Sequence, residues 1–177
     1  MIAHMSAPYR RSEIEAAFSH YQQVVAEIAL SRDWSRFAEL FTPDATYIEH
    51  AYGSFRGRDE IRAWVVRTMT SFPGSSMVSF PPRWSVIDEE RGWVVCEIRN
   101  IMADPGDGSV HEEPNITVLR YAGDGLFANE EDVYNPMRYL PMVRGWAEVA
   151  LAHDRLPENA HRWMDAYAPG WGATARQ

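Results

Sequence analysis

The hydrophobic residues change their period once along the chain, near Phe72-Pro73-Gly74. Upstream, Ile14, Phe18, Tyr21, Val25, Ile28 and Ala29 recur at helical spacing and give one apolar face. That helix is expected to begin at Ser12, with Ser12 and Glu15 forming a capping box. A short second helix is expected over residues 34–41, ended by Thr42-Pro43-Asp44. A strand follows over 45–50, rich in β-formers, then a turn bracketed by Gly53 and Gly57, then a third helix over 58–70. Downstream the pattern alternates instead. Residues 77–87 read as a strand broken by Pro81-Pro82, and 93–103, 110–121 and 126–134 read as strands joined by Gly- and Asp-rich turns. Helices first and a meander after predict an α+β fold, with helices packed on one face of a curved mixed or antiparallel sheet. Two further helical stretches, 141–153 and 157–167, either cap a pocket mouth or meet a second subunit.

A chain of 177 residues with 46% hydrophobic and 24% charged residues can bury a core of its own, so a single domain is expected. The formal net charge is −8 and the basic residues form no run, which argues against a nucleic-acid partner. No apolar run approaches the roughly 18 residues a membrane helix needs, and no secretory leader pattern opens the chain, so a cytoplasmic protein is expected. The single cysteine, Cys96, sits in the apolar run Trp93-Val94-Val95-Cys96 and reads as a small buried hydrophobe. The six histidines do not pair with carboxylates at metal-ligand spacing, and no phosphate-cradling or dinucleotide glycine pattern occurs. Neither a metal nor a cofactor is expected.

Three segments carry a resemblance. They are Phe37-Ala38-Glu39-Leu40-Phe41-Thr42-Pro43-Asp44-Ala45-Thr46, then Gly53-Ser54-Phe55-Arg56-Gly57-Arg58-Asp59-Glu60-Ile61, then Gly125-Leu126-Phe127 with Glu131-Asp132-Val133-Tyr134-Asn135-Pro136. In order and spacing they resemble the SnoaL-like branch of the nuclear-transport-factor-2-like superfamily, over about residues 12–140. The resemblance implies a cone-shaped sheet wrapped around one pocket, with residues 141–171 as a helical extension, and a homodimer through the open sheet face. It does not fix a reaction, because this superfamily holds isomerases, cyclases, epoxide hydrolases, lyases and binding modules.

Two titratable residues stand out against that background. In ketosteroid-isomerase relatives the general base lies three residues before the glycine that here is Gly53, which places the role on His50. An imidazole accepts and returns protons near neutrality. Strand alternation would then turn Glu49 away from the pocket. On the last strand, Glu130, Asp132 and Tyr134 share one parity, and Asp132 matches the acid of cyclase-like relatives. A carboxyl group in an apolar cavity has a raised pKa and serves as a general acid. Tyr21, Tyr47, Trp64, Trp84, Asn100, Asn115, Thr117 and Tyr134 are the candidate substrate contacts. The ketosteroid-isomerase oxyanion hole is not matched, since its tyrosine and acid positions fall on Val25 and Thr117, with Tyr21 one turn from the former.

These readings point to a cofactor-independent acid–base enzyme with His50 and Asp132 as the catalytic pair. Its substrate would be a small hydrophobic, aromatic or polycyclic molecule, and its reaction an isomerisation, ring closure, dehydration or retro-aldol step. The alternatives are a non-catalytic binding or assembly module and, less well matched, an epoxide hydrolase.

Overall fold

The computed structural model describes residues 8–172. In chain order its elements are α1 (Arg11–Ser31), a 3₁₀ segment (Trp34–Leu40), β1 (Phe41–Glu49), β2 (Gly53–Arg56), α2 (Gly57–Thr70), β3 (Met77–Ser79), β4 (Pro82–Asp88), β5 (Trp93–Met102), β6 (Glu112–Gly123), β7 (Leu126–Val133), α3 (Pro136–Ala152) and α4 (Glu158–Tyr167). The strands form one seven-stranded sheet in the order β2-β1-β7-β6-β5-β3, with β4 also pairing β5. β1 runs parallel to β7 and every other pairing is antiparallel. The change of hydrophobic period predicts the α+β class, and the parallel β1–β7 pairing is what makes the sheet mixed.

Several local expectations are revised. α1 starts at Arg11 with Arg10 as its N-cap and no side-chain capping bond, so Ser12 and Glu15 do not form the capping box. Thr42-Pro43-Asp44 does not end a helix but lies inside β1. The β1–β7 register shifts between Phe41 and Thr46, and Pro43, which has no N–H to donate, sits in that irregular stretch. Residues 53–56 are a short strand paired to β1, from Thr46 opposite Arg56 to Glu49 opposite Gly53. Gly57 opens α2 with φ of +74°, and a Cβ there would stand 3.2 Å from the Pro43 carbonyl oxygen, so glycine suits the position twice over. α3 begins at Pro136, five residues before the expected start. Asn135 caps it by accepting a 3.0 Å hydrogen bond from the Met137 N–H, and Pro136 supplies the fixed φ of a first helical residue.

Two apolar clusters hold these layers. The larger joins the buried faces of α1, the 3₁₀ segment and α2 to the concave side of the sheet, with Ile14, Ile28, Phe41, Ile61, Val94, Leu119 and Phe127 fully enclosed. Cys96 belongs to it, and burial pushes its thiol pKa up, as suits an inert packing residue. The smaller gathers Val143, Trp146, Ala147 and Ala150 of α3 and Ala160 and Met164 of α4 around Phe72, Met77 and Met102. The Trp146 indole N–H donates to the Ala103 carbonyl at 2.6 Å, which pins α3 to the end of β5. No helix among the described residues is long and apolar enough to cross a membrane.

Candidate functional site

Between the two clusters lies a cavity of about 620 Å³. That is within the range of small-molecule sites, roughly 300 to 1,000 Å³. Its apolar wall includes Trp34, Phe37, Trp64, Phe80, Val143 and Trp163. α3 contributes Pro136, Tyr139, Leu140 and Val143, and α4 contributes Trp163 and Tyr167. The C-terminal helices are therefore part of the pocket wall, which the sequence left open.

The polar floor is set by strand register. β1 and β7 run parallel with Tyr47 beside Glu130 and Glu49 beside Asp132. β6 lies on the other flank of β7 and places Thr117 opposite Asp132. Ala128 is an extra residue in β7, because Arg120 pairs with Asn129 while Tyr121 pairs with Phe127. Such a bulge shifts the alternation by one residue. Phe127 is thereby kept in the core and Glu130 and Asp132 still line the cavity.

Asp132 is held on both oxygens. Oδ1 accepts from Asn115 Nδ2 at 2.7 Å and from the Thr117 hydroxyl at 2.5 Å, while Oδ2 accepts from the Tyr47 hydroxyl. Asn115 also donates to Thr117 Oγ1 at 2.8 Å and accepts from Asn100 Nδ2 at 2.9 Å, so a chain of donors runs toward the carboxyl group. Asn100 Nδ2 further approaches the Tyr139 hydroxyl oxygen at 2.7 Å. Glu130 is 2% exposed and receives the Tyr21 hydroxyl at 3.0 and 3.1 Å on its two oxygens. Glu49 is 4% exposed, and its Oε2 accepts from the N–H groups of Ala51 and Tyr52 at 2.9 and 2.7 Å, closing the turn after β1.

Loss of water dominates the electrostatics of this floor. Burial raises the Asp132 pKa from 3.8 to about 6, against the lowering effect of its Thr117, Tyr47 and Asn115 donors, with Glu49 adding to the rise. Glu130 is raised well above the usual carboxylate range, first by burial and then by the Asp132 charge. Tyr21 and Tyr47 are raised too, by burial and by both acids, and remain hydroxyl donors. Tyr134 stands beside Glu49, is raised by burial, and meets Tyr139 edge to face at 4.9 Å. Trp64 packs on Tyr47 at 4.6 Å and on Phe55 at 4.9 Å between ring centroids.

Of the residues named from sequence, Asp132, Tyr21, Tyr47, Trp64, Asn100, Asn115, Thr117 and Tyr134 lie on the cavity wall. His50 and Trp84 do not. β1 turns Ala45, Tyr47 and Glu49 inward, so His50, one residue further and past the strand end, falls on the other side. Its side chain is 51% exposed, with Nε2 2.9 Å from Glu131, the outward residue between Glu130 and Asp132. The expected orientation of Glu49 and His50 is thus reversed. Trp84 is 43% exposed on the outer face. The irregular register at Pro82–Trp84 sets Ser85 opposite buried Cys96 and turns Trp84 outward with Glu97. Glu49, Glu130 and Tyr139 complete the floor. Glu49 shares the parity of Ala45 and Tyr47, a signal present in the sequence, whereas Tyr139 lay ahead of the expected helix start. Among the described residues, no group of three or more His, Cys, Asp or Glu is arranged to hold a metal ion.

A family model described as a SnoaL-like domain matches residues 21–130. No curated protein sequence gives a significant match. Solved structures with the same fold include a protein of ketosteroid isomerase-like fold from Catenulispora acidiphila, in complex with trimethylamine. It is 23% identical with a TM-score of 0.52, over 82% of this chain and 94% of that one. A protein described as a SnoaL-like polyketide cyclase from Jannaschia sp. CCS1 is 17% identical with a TM-score of 0.57, over 76% and 96%. A steroid delta-isomerase from Pseudomonas aeruginosa is 18% identical with a TM-score of 0.54, over 92% and 98%. At these identities the likeness concerns the fold.

Proposed function

The chain belongs to the SnoaL-like domain family, and we propose that it is a cofactor-independent acid–base enzyme of isomerase or cyclase type acting on a small, largely apolar, ring-bearing molecule. One observation carries the reading. A carboxyl group with a pKa near 6, Asp132, is fixed by three neutral donors at the floor of an apolar cavity of about 620 Å³. A group titrating close to neutrality takes a proton from a carbon beside a carbonyl and gives it back without a large penalty in either direction. Isomerisation, aldol-type ring closure and dehydration all need that exchange. The aromatic wall of Trp34, Phe37 and Trp64 excludes water and presents flat faces to a ring. The names of the relatives, a steroid isomerase and a polyketide cyclase, support the same class.

Asp132 carries the proton in this proposal, and His50 has no part in it. Asn115 and Thr117 hold the carboxyl group in one orientation, and Tyr47 stabilises its charged form. The outer face of the sheet, where Trp84, Val86 and Val133 are exposed, is where we place a second copy of the chain, and sedimentation at micromolar concentration checks that placement.

The test is turnover of a panel of cyclic enones, polyketide-like β-dicarbonyl precursors and hydroxylated rings by wild type and Asp132→Asn. Proton-transfer groups contribute about 10²- to 10⁴-fold, so D132N is expected to lose at least about a hundredfold in kcat with KM little changed. Wild-type kcat in D132N on any accepted substrate removes Asp132 from the chemistry. Tight binding of panel members without turnover by the wild type would make the cavity a carrier.

A further inference from the structure

Glu130 is the buried titratable group that the reading above leaves without a task. It lines the same cavity as Asp132, two residues away on β7, and it is 2% exposed. The groups facing it are Tyr21 from α1, Tyr47 from β1, Cys96 from β5 and Asp132 on its own strand, and Glu49 of β1 acts on Asp132. None of these is a cation. The basic residue on the cavity wall is Arg67 of α2, and it is not among the groups that act on either acid. An isolated carboxylate cannot be buried among hydroxyl groups and rings without a large cost, so one of the two acids keeps its proton. The order follows from their partners. Asp132 has three donors on its two oxygens, whereas Glu130 has the Tyr21 hydroxyl and the reach of Tyr47. The Asp132 charge raises Glu130, which makes Glu130 the acid that stays neutral while Asp132 ionises.

Tyr47 lies between them. Its hydroxyl donates to Asp132 Oδ2, and the register sets Tyr47 directly beside Glu130, whose carboxyl pKa the Tyr47 hydroxyl draws down against the effect of burial. We infer that Glu130, Tyr47 and Asp132 form a proton relay, in which one acid collects the proton that the substrate loses and the other delivers the proton it gains. The inference rests on the acid–base role of Asp132. The step balances as follows. Asp132 as the carboxylate takes a proton from the substrate, and neutral Glu130 gives its own proton to the second position of the substrate and becomes a carboxylate. The proton on Asp132 then moves to the Tyr47 oxygen as the Tyr47 hydroxyl proton moves to Glu130. Tyr47 ends as a neutral hydroxyl, both acids return to their starting states, and no proton is exchanged with solvent. A pair of acids joined this way suits a reaction that moves a proton between two positions of one molecule, and so favours isomerisation within the proposed class.

The experiment combines carbon NMR of side-chain carboxyl groups with kinetics on full-length wild type, Glu130→Gln and Tyr47→Phe, each checked for folding by thermal melting. In the wild type the Glu130 carbon is expected to keep its protonated shift throughout the titration of Asp132. E130Q replaces a neutral group by a neutral group of the same shape, so the Asp132 midpoint should stay within about half a pH unit. A fall of a full unit or more would show that Glu130 is an anion beside Asp132 and would overturn the relay, as would Glu130 titrating below Asp132. In turnover, E130Q and Y47F should each lose about a hundredfold in kcat with KM nearly constant, and the double variant should be no worse than either alone. Wild-type kcat in E130Q alongside an inactive D132N overturns the relay and leaves the acid–base reading standing. Wild-type kcat in D132N removes both.

Discussion

Asp132→Asn is a test of the site that needs no substrate. The folded protein holds the Asp132 pKa near 6, against an ordinary value of 3.8. A folded pKa above the unfolded one means that the native state binds the proton more tightly. Between those two values the native state carries more protons than the unfolded chain, so its stability falls as pH rises. The gap is about two pH units, and at 1.36 kcal/mol per unit the wild type loses about 3 kcal/mol between pH 4 and pH 6, with no further loss above. D132N lacks this titration. The exposed groups titrate alike in both proteins over this window, and burial, the larger cause, still raises Glu130 in D132N although the Asp132 charge is gone. The difference in unfolding free energy, D132N minus wild type, should therefore climb by about 3 kcal/mol from pH 4 to pH 7. The amide also changes the hydrogen bonds, because its NH₂ must face one of the donors Asn115, Thr117 or Tyr47. That mismatch is worth about 1 kcal/mol and shifts the whole curve without altering its slope. Urea unfolding at half-unit steps of pH gives the curve, since each midpoint converts to free energy through a common m-value. A difference flat to within about 0.5 kcal/mol over this window would refute the claim that burial controls Asp132. A difference that falls with pH would mean that its donors outweigh its desolvation.

Two further outcomes follow from the same contacts. Thr117→Val removes the 2.5 Å donor to Asp132 Oδ1 and keeps the side-chain shape, so the Asp132 midpoint should rise by about one pH unit, read from its carboxyl carbon; no rise would make Thr117 a packing residue only. His50→Ala should change stability by less than about 0.5 kcal/mol and leave turnover as it was, because its pairing with Glu131 is half exposed; a hundredfold loss of kcat would return the imidazole to the chemistry.

The fold was legible where one element alone carries the signal. Alternation within β5, β6 and β7 places Asn100, Asn115, Thr117, Glu130 and Asp132 on one side, and the helical period of α1 places Tyr21 there as well. The rest was obscured for different reasons. Counting back from Gly53 points to His50, although the phase that Ala45 and Tyr47 set within β1 itself carries Glu49 inward instead. Trp84 lies on a strand whose phase the Pro81-Pro82 break leaves open, and the pairing of Ser85 with Cys96 sets that phase and turns Trp84 outward. The neighbour relation of Glu49 to Asp132 and of Tyr47 to Glu130 comes from a parallel pairing of strands more than eighty residues apart, to which no local pattern points. The start of α3 was obscured by a strong local signal, Pro136, which reads as a break and serves instead as the first helical residue.

The C-terminal helices tie the two properties of the cavity together. The family match ends at residue 130, before Asp132 and before α3 and α4. Those helices supply Tyr139, Val143, Trp163 and Tyr167 to the wall, and Tyr139 stands close enough to Asp132 to be raised by its charge. The largest influence on Asp132 is the removal of water, and the same wall that removes water decides the size and shape of what enters. Acidity and selectivity therefore share one cavity wall, whose C-terminal part is held in place by Trp146 and its bond to the Ala103 carbonyl. Opening that wall admits water to the carboxyl group, moves its pKa back toward 3.8, and relieves the fold of part of the 3 kcal/mol it carries at neutral pH. A more permissive cavity then holds a carboxyl group closer to its ordinary acidity, so under the proposed function a wider substrate range at this wall goes with weaker proton transfer by Asp132.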